Sequence, residues 1–364
     1  MDRRRFLATT GAVASVGLAG CRSMFQTRSA RSPPLVEDRP DAVYVPSHVE
    51  GMQMVDMQMA GEYMLALSYS FPHRFWLVNG DRTNKVEISG DDSVHLMTTV
   101  WDRDTGMVLP NGAIRATITK DGESITSGKS LWPMLSQNMG IHAGDNLSLD
   151  GTGVYDVEIT VPPLSMRRTG GFSERFGESG TATFTLEFDK SALEEQISYE
   201  TLPDRQGERD ALDPMEMDMM PVSRAPDTAA MPGTVVGEGQ SGDATFLVSR
   251  LDEVPSGVDT AAGGAETDGD PSYLAVSMRT PYNRYPIPMA ALSATVTRDG
   301  TTVFDGELTA TVDPGLGAHY GAVADIGPGD ELTISVDTPP QISRHEGYET
   351  AFIDFSDVSV TVEG

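Results

Sequence analysis

The chain has 364 residues and a formal net charge of −28 at pH 7, with 54 acidic side chains against 26 Lys and Arg. A surface this acidic repels polyanions, which excludes nucleic acid as a partner. The carboxylates are spread along the whole chain, as is typical of proteins adapted to very high salt, where self-repulsion is screened. With a single Cys, the chain has neither a disulfide framework nor a thiolate metal site.

The first 21 residues predict an export signal that ends in a lipid anchor. Arg3-Arg4-Arg5 and Phe6-Leu7 suggest the twin-arginine route, and the apolar stretch that follows is too short to be a permanent membrane helix. The "LAGC" that ends at Cys21 resembles a lipobox, in which the Cys is lipidated and becomes the new N-terminus. The alternative is an ordinary signal with an incidental Cys. We therefore expect an extracytoplasmic protein, anchored by lipid on Cys21 to the outer face of the cell membrane and followed by a tether over residues 22–42.

The body of the chain reads as strands. Segments such as "AIRATITKDG", "VYDVEITVPP" and "LSATVTRDG" alternate apolar and polar residues and end in Gly, Asp or Pro, whereas no long 3.6-residue pattern is present. This predicts an all-β protein built from immunoglobulin-like β-sandwiches.

The strands occur in two copies. "ATITKDG" at Ala116–Gly122 matches "ATVTRDG" at Ala294–Gly300, His142 matches His319, and the later Pro-Pro pairs and Gly-aromatic hairpins keep nearly the same spacing. We interpret this register as an internal duplication. The predicted sandwiches cover residues 43–189 and 241–364, and an acidic, Pro-containing linker covers 190–240. We expect the two sandwiches to fold independently.

The two copies differ in residues that bind metal. The first copy has His95 and Met97 where the second has Tyr273 and Ala275. A strand places His95 and Met97 on one face, and three further candidates surround the turn opposite. Imidazole with thioether suits copper, Cu(I) above all. A buried Met is more often core filler, and a His beside a Gly turn is more often a hydrogen-bonded loop residue. The candidate ligands from the turn are Met134, Met139 and His142.

Two further Met clusters have open interpretations. "GMQMVDMQMAG" at Gly51–Gly61 would capture Cu(I) loosely or form a strand pair with a bulge at Val55-Asp56, and the structural interpretation is favoured. "MEMDMM" at Met215–Met220 lies in the predicted linker, where a core role is less natural and weak metal trapping is an unspecific alternative.

The run "HLMTTVWDRDTGMVLP", followed by "LWPM" and "MGIHAGDNLSLDGTGVYDVEITVPP", resembles the immunoglobulin-like lipoproteins of bacterial periplasmic ferrous-iron-transport systems. The resemblance covers about Glu62 to Val161 and is thinner in the second copy. The whole chain is also similar to twin-arginine lipoproteins of salt-loving archaea. The resemblance implies copper or iron as the bound metal, a role in high-affinity iron uptake and a metal permease as partner; a homodimer is left open.

Carried over to this sequence, the resemblance implies His95, Met134 and His142 as metal ligands. Met97 replaces a family Glu, and this change shifts the preference toward Cu(I). A further family His, in a late hairpin, has no His equivalent near "RRTGGFSERF". His73 is the candidate substitute.

Two functions from different classes follow. The first is a lipid-anchored metal-binding accessory protein for copper handling or iron uptake. The second is a surface-anchored structural or partner-binding sandwich protein without metal, since sandwich folds host both. The sequence has no G-x-S-x-G, H-E-x-x-H or Gly-rich phosphate loop, so we do not expect an enzyme.

Overall fold

The strands follow the period-two patterns of the sequence. In the computed structural model, which describes residues 34–215, 217, 219–259 and 271–363, strands dominate. The strand Gly180–Phe188 alternates buried and exposed side chains throughout, as expected for a strand with one face on a core. The predicted all-β sandwich fold class is confirmed. The signal with Cys21 and residues 22–33 of the tether lie outside the described residues.

The two repeats contribute the strands and a few short helical turns. The strands from the first repeat are β1 (His48–Glu50), β2 (Gln53–Ala60), β3 (Tyr63–Ser70), β4 (Phe75–Asn79), β5 (Arg82–Val86), β6 (Val94–Asp102), β7 (Arg115–Lys120), β8 (Glu123–Ser130), β9 (Trp132–Ser136), β10 (Gly140–Leu147), β11 (Gly153–Val161), β12 (Arg167–Arg168) and β13 (Gly180–Phe188). The later strands are β14 (Tyr199–Thr201), β15 (Thr234–Ser241), β16 (Ala244–Leu251), β17 (Ser272–Arg279), β18 (Ala291–Arg298), β19 (Thr301–Asp313), β20 (Gly317–Ala324), β21 (Glu331–Thr338), β22 (Ser343–Arg344) and β23 (Val358–Thr361). A short helix α1 (Leu193–Gln196) and 3₁₀ turns at Gly170–Phe172 and Thr228–Ala230 complete the described elements.

The first sandwich packs a large sheet on a smaller one. The large sheet has the order β2-β3-β6-β10-β9-β22-β4-β5, and the smaller one the order β13-β11-β7-β8. Leu65 and Leu96 of the large sheet share one apolar core with Val157 and Phe184 of the small one. Side chains alternate along a strand, so the neighbours of Leu65 on β3 and of Leu96 on β6 point to the opposite side of the sheet. We call this side the outer face of the large sheet.

The second sandwich repeats this plan with one difference. Its strands run continuously as β15-β16-β17-β20-β19-β18-β21-β23, because the long strand β19 pairs with β18 through one half and with β20 through the other. In the first repeat the corresponding stretch is divided into β8 and β9, so the two sheets are separate. The same order of elements in both halves agrees with an internal duplication.

Each repeat lends a short strand to the other. β12 runs parallel to β19 with Arg167 opposite Thr311, and β22 runs parallel to β9 with Ser343 opposite Met134. Thr311 and Met134 occupy equivalent positions in the two repeats, so the exchange is reciprocal. It carries a hairpin of the second repeat onto the large sheet of the first.

The repeats also share an apolar core. Met97 and Trp101 from the outer face of the large sheet belong to the same cluster as Phe246 and Tyr285 of the second repeat. Chain contacts group Leu35–Gly364 into one compact unit. The shared core and the exchanged strands argue against the expectation that the two sandwiches fold independently.

The predicted linker over 190–240 takes part in this unit. It contains β14, which pairs with β1, and β15, the first strand of the second sandwich. Leu212 is buried, and its amide donates to the Gln137 side chain of the first repeat. The described end of the predicted tether is also bound, because the Thr350 hydroxyl contacts the carbonyl oxygens of Pro40 and Ala42.

Candidate metal centre

His95 lies in the middle of the large sheet and is completely buried. It sits on β6, directly opposite Asn146 on β10. Its Nδ1 lies 2.8 Å from the Asn146 Oδ1. An amide oxygen only accepts hydrogen bonds, so Nδ1 carries the proton and Nε2 is left with a free lone pair.

His142 and Met134 face each other across the β9–β10 hairpin. They are directly paired in register, and Gly140, with φ +69°, begins β10 after the turn. The His142 Nδ1 lies 3.1 Å from the carbonyl oxygen of Gly140. This contact again fixes the proton on Nδ1 and leaves Nε2 as a lone-pair donor.

His73 reaches the same place from the loop between β3 and β4. Its Nδ1 lies 3.1 Å from the carbonyl oxygen of Phe71. Asn146 holds its backbone, because the Asn146 Nδ2 donates to the His73 carbonyl at 2.9 Å. One amide side chain thus positions both His73 and His95, whose ring centroids are 4.0 Å apart.

His345 completes the group and comes from the second repeat. It follows β22, and its amide donates to the Leu135 carbonyl of β9. Its Nε2 lies 3.3 Å from the Met134 sulfur. Its ring centroid is 4.8 Å from that of His73, 5.1 Å from that of His142 and 5.7 Å from that of His95.

His345 is not among the ligands predicted from the sequence, although the sequence contains a signal for it. The first copy lacks a His in its late hairpin near "RRTGGFSERF", whereas the matching hairpin of the second copy reads "SRHEGYETAF". The strand exchange delivers that hairpin to the first repeat's sheet. His73 is therefore an additional member of the group rather than the substitute for a missing hairpin His.

The hydrogen bonding of the four imidazoles fits a metal site. The Nε2 atoms of His73, His95 and His142 are buried and have no hydrogen-bond partner. Ligand atoms of His73, His95 and His345 lie within 4.8 Å of one another. Unpartnered buried nitrogens are costly unless something binds them. Gly144 allows these side chains to lie close to β10, since a Cβ there would be 2.9 Å from the His95 Nε2 and 3.4 Å from the Met134 sulfur.

Burial keeps His95, His142 and His345 neutral. It lowers the pKa of His142 from 6.5 to about 4. It also lowers the pKa of His95 and of His345 well below 6.5, and the neighbouring His rings add to the effect. A neutral imidazole is the ligating form, so the site is prepared for a cation at neutral pH.

A carboxylate stands behind His73. The His73 Nδ1 lies 3.6 Å from one Glu50 oxygen, and the His48 Nε2 lies 3.4 Å from the other. Burial alone would raise the pKa of Glu50, but contacts with His48 and His73 hold it below its usual value. Glu50 thus stays ionised beside the Nδ1 of His73.

The other two Met candidates from the sequence belong to the apolar core shared by the repeats. Met97 is on β6, two residues from His95 and on the same face, while Met139 is in the turn before β10. Both are buried members of the apolar core shared by the repeats. The structure therefore brings together His73, His95, Met134 and His142 and places Met97 and Met139 in the surrounding core.

The equivalent position in the second repeat is filled by protein groups. His319 keeps the Nδ1 contact with a turn carbonyl, that of Gly317, at 3.0 Å. Its Nε2 is 3.0 Å from the hydroxyl of Tyr273, which replaces His95. Arg167, on the exchanged strand β12, donates to Tyr273 at 2.8 Å and to Thr311, the counterpart of Met134, at 3.0 Å. In the second repeat the Arg167 guanidinium and the Tyr273 phenol therefore take up the space and the hydrogen bonds of the site, whereas the His142 Nε2 of the first repeat has no partner.

Comparisons with known proteins cover parts of the chain. Residues 229–361 match the model of a family described as a domain of unknown function (DUF7350), which is less than half of the chain. A search of curated proteins finds no match. No helix in the described part of the chain is long and apolar enough to cross a membrane.

Similar solved structures include two copper-bound proteins. A copper-bound variant of FetP from uropathogenic Escherichia coli is 17% identical over 38% of this chain and 97% of its own, with a TM-score of 0.29. Copper-reconstituted P19 from Campylobacter jejuni is 14% identical over 38% of this chain and 96% of its own, also with a TM-score of 0.29. Likeness at this level carries no argument about function, which has to come from the geometry of the site.

Proposed function

We propose that the protein binds one copper ion, with Cu(I) favoured, through His95, Met134, His142 and His345, with His73 beside them. The observation that carries the proposal is three buried Nε2 atoms without a hydrogen-bond partner, those of His73, His95 and His142, on rings that surround the pair formed by His345 and Met134. One imidazole or thioether in water holds metal weakly, so tight binding needs several ligands in one place. The fold supplies them from both repeats.

The donor set favours copper over iron. Neutral imidazoles with a thioether are soft to borderline ligands, and thioethers in particular select Cu(I). The group of three imidazoles includes no carboxylate. Iron(II) usually takes carboxylate as well as imidazole, so we expect it to bind more weakly. Bound copper supplies a cation that exchanges one electron.

Hydrogen bonds from surrounding residues orient the His rings before any ion binds. Asn146 orients His73 and His95, and backbone carbonyls orient the rings of His73 and His142. Such outer partners fix the tautomer and the direction of the lone pair. Burial excludes water from Nε2, so binding replaces few hydrogen bonds to solvent.

For the biological role we propose a lipid-anchored extracytoplasmic protein, because the sequence begins with a twin-arginine signal and a lipobox at Cys21. The handling of copper or assistance to iron uptake, with a metal permease as partner, is what the resemblance to the periplasmic iron-transport lipoproteins implies. We propose binding and delivery rather than catalysis, because the sequence contains none of the common hydrolase or phosphate-loop motifs.

Cu(I) titration of the soluble chain against a chromophoric chelator tests this proposal. We expect one tight site, and in His142→Ala or His345→Ala we expect a loss greater than the roughly 10–100-fold that removal of an outer partner costs. His319→Ala is the matched control, because its Nε2 is already held by Tyr273. Equal losses in all three variants, or tight binding in none of the proteins, would contradict the assignment and favour a sandwich without metal.

A further inference from the structure

Three methionines of β2 and β3 share one face of the large sheet. Met54 lies opposite Ser68 and Met57 lies opposite Ala66, with a register shift between Met54 and Asp56. Directly paired residues of antiparallel strands point to the same side. Ser68, Ala66 and Met64 alternate along β3, so Met54, Met57 and Met64 point to the outer face. The bulge is what brings Met57 back to the side of Met54.

This face continues to the candidate metal centre. Met97 on β6 is paired with Ser68 of β3 on one side and with Gly144 of β10 on the other. It therefore points to the same face as Met54. His95 is two residues away on β6 and also shares this face. Beside Met97, Gly144 has no side chain, and its Cβ position lies close to the His95 Nε2 and the Met134 sulfur.

Exposure falls along this series of sulfurs. Met54, Met57 and Met64 are half-buried and pack at the edge of the core that the repeats share. Met97 is 3% exposed and Met134 is fully buried. The outer end is open to solvent and the inner end is dry. Met59, 54% exposed at the rim, already receives the Arg103 guanidinium at 3.6 Å and is therefore not part of the series.

The chemistry of thioethers suits transient capture. A thioether binds Cu(I) without losing a proton, and one or two of them bind it weakly. A buried imidazole group at the end of the series binds more tightly. Met residues also serve as flexible core filler, and contact with the shared core accounts for their apolar character and for the face they share. Such packing does not by itself require a thioether at each position.

We propose that Met54, Met57, Met64 and Met97, the methionine face, form the route by which Cu(I) enters the buried centre. The inference rests on the proposed function, since it assumes that the centre takes Cu(I). It adds a set of weak sites that govern the rate of loading rather than the final affinity.

The test compares two sets of Met→Leu variants, which conserve volume and remove the sulfur. One variant carries Met54→Leu, Met57→Leu and Met64→Leu. The control carries Met107→Leu and Met166→Leu, because these half-buried residues pack on the core inside the first sandwich instead. Stopped-flow transfer of Cu(I) from a chelator gives the rate, and equilibrium competition gives the affinity.

We expect the first variant to load about tenfold more slowly with unchanged affinity, and the control to load like the unmodified protein. Equal loading rates in all three proteins would overturn the route. A parallel fall in rate and affinity would also overturn it, because these residues would then be ligands of the tight centre.

A second measurement separates this inference from the proposed function. If the unmodified chain binds no Cu(I) tightly, the proposed centre fails. Ag(I) added to protein with ¹³C-methyl Met then probes the face alone by NMR. Methyl shifts confined to Met54, Met57, Met64 and Met97 support soft-metal capture there, whereas unshifted methyls reject it.

Discussion

His142 and His319 occupy equivalent positions in the two repeats but differ in the surroundings of Nε2. Both follow a Gly with positive φ, and both rings are fixed through Nδ1 to a turn carbonyl. They differ in what meets Nε2. Tyr273 satisfies His319, whereas the His142 nitrogen is buried without a partner. The duplication therefore explains why the His is present twice, and the partner of Nε2 explains why only the first copy is available to a cation.

The pKa values predict how copper binding depends on pH. An ordinary imidazole would lose affinity for metal as the pH falls through 6.5. Burial lowers the pKa of His142 to about 4, and those of His95 and His345 are also well below 6.5. A lowered pKa keeps the ligating form present at more acid pH. We therefore expect nearly constant Cu(I) affinity between about pH 7 and pH 5, with the decline beginning only near the lowered pKa values.

This profile is measurable by competition with a chelator whose own pH dependence is known. His319→Ala serves as the control, since it should leave the profile unchanged. A midpoint near 6.5 in the unmodified protein would show that the ligating imidazoles are solvated rather than buried.

Among the strands, β10 supplies the site with two polar side chains and with a glycine between them. It carries His142 and Asn146, and between them it places Gly144 against His95 and Met134. Gly in a strand interior usually weakens the strand, and close approach by another group is a common reason for its presence. The gap left by the missing Cβ lies beside the unpartnered His95 nitrogen, so we expect the proposed ion site to depend on it.

Gly144→Ala tests this interpretation. A Cβ 2.9 Å from both the His95 Nε2 and the Leu96 carbonyl oxygen forces the ring or the strand to shift. We expect a loss of roughly 10–100-fold in Cu(I) affinity, comparable to the loss of an orienting partner. Gly306→Ala on β19 is the control, because its nearest contact would be 3.4 Å from a Phe304 ring atom. Circular dichroism and the thermal midpoint verify folding, and unaltered affinity in a folded Gly144→Ala protein would reject the role of the gap.

In the whole molecule the site depends on both repeats. β22 brings His345 from the second repeat to β9 of the first, and Met97 and Trp101 belong to an apolar core shared with the second repeat. Neither repeat by itself contains the complete ligand group. The exchange of β12 and β22 would therefore tie metal binding at the proposed centre to the packing of the two halves.

A chain ending at Asp189 should therefore lack tight Cu(I) binding even though it retains His73, His95, Met134 and His142. It should also expose the apolar outer face that the second repeat covers, which dye binding and light scattering would detect. The full chain with His345→Ala separates the two effects, because it keeps the core and loses the ligand. Affinity equal to that of the full chain in the Asp189 truncation would show that His345 is dispensable.

The sequence by itself determined the all-β class and the duplication, and it predicted four members of the candidate site, His73, His95, Met134 and His142. Alternation of apolar residues is a local signal, and the repeat is visible as matched segments such as Ala116–Gly122 and Ala294–Gly300. His95, Met134 and His142 stood out because the second copy lacks two of them. Asymmetry between copies could be seen without knowing the fold.

Tertiary structure decided the rest of the site. His345 lies more than 200 positions from Met134 along the chain, and only the exchanged strand brings them within 3.3 Å. The roles of Met97 and Met139 depended on which face of the sheet the second repeat covers. The alignment of Met57 with Met54 depended on a bulge whose position affects every residue after it. These are consequences of long-range pairing between strands, which no local pattern of residues specifies.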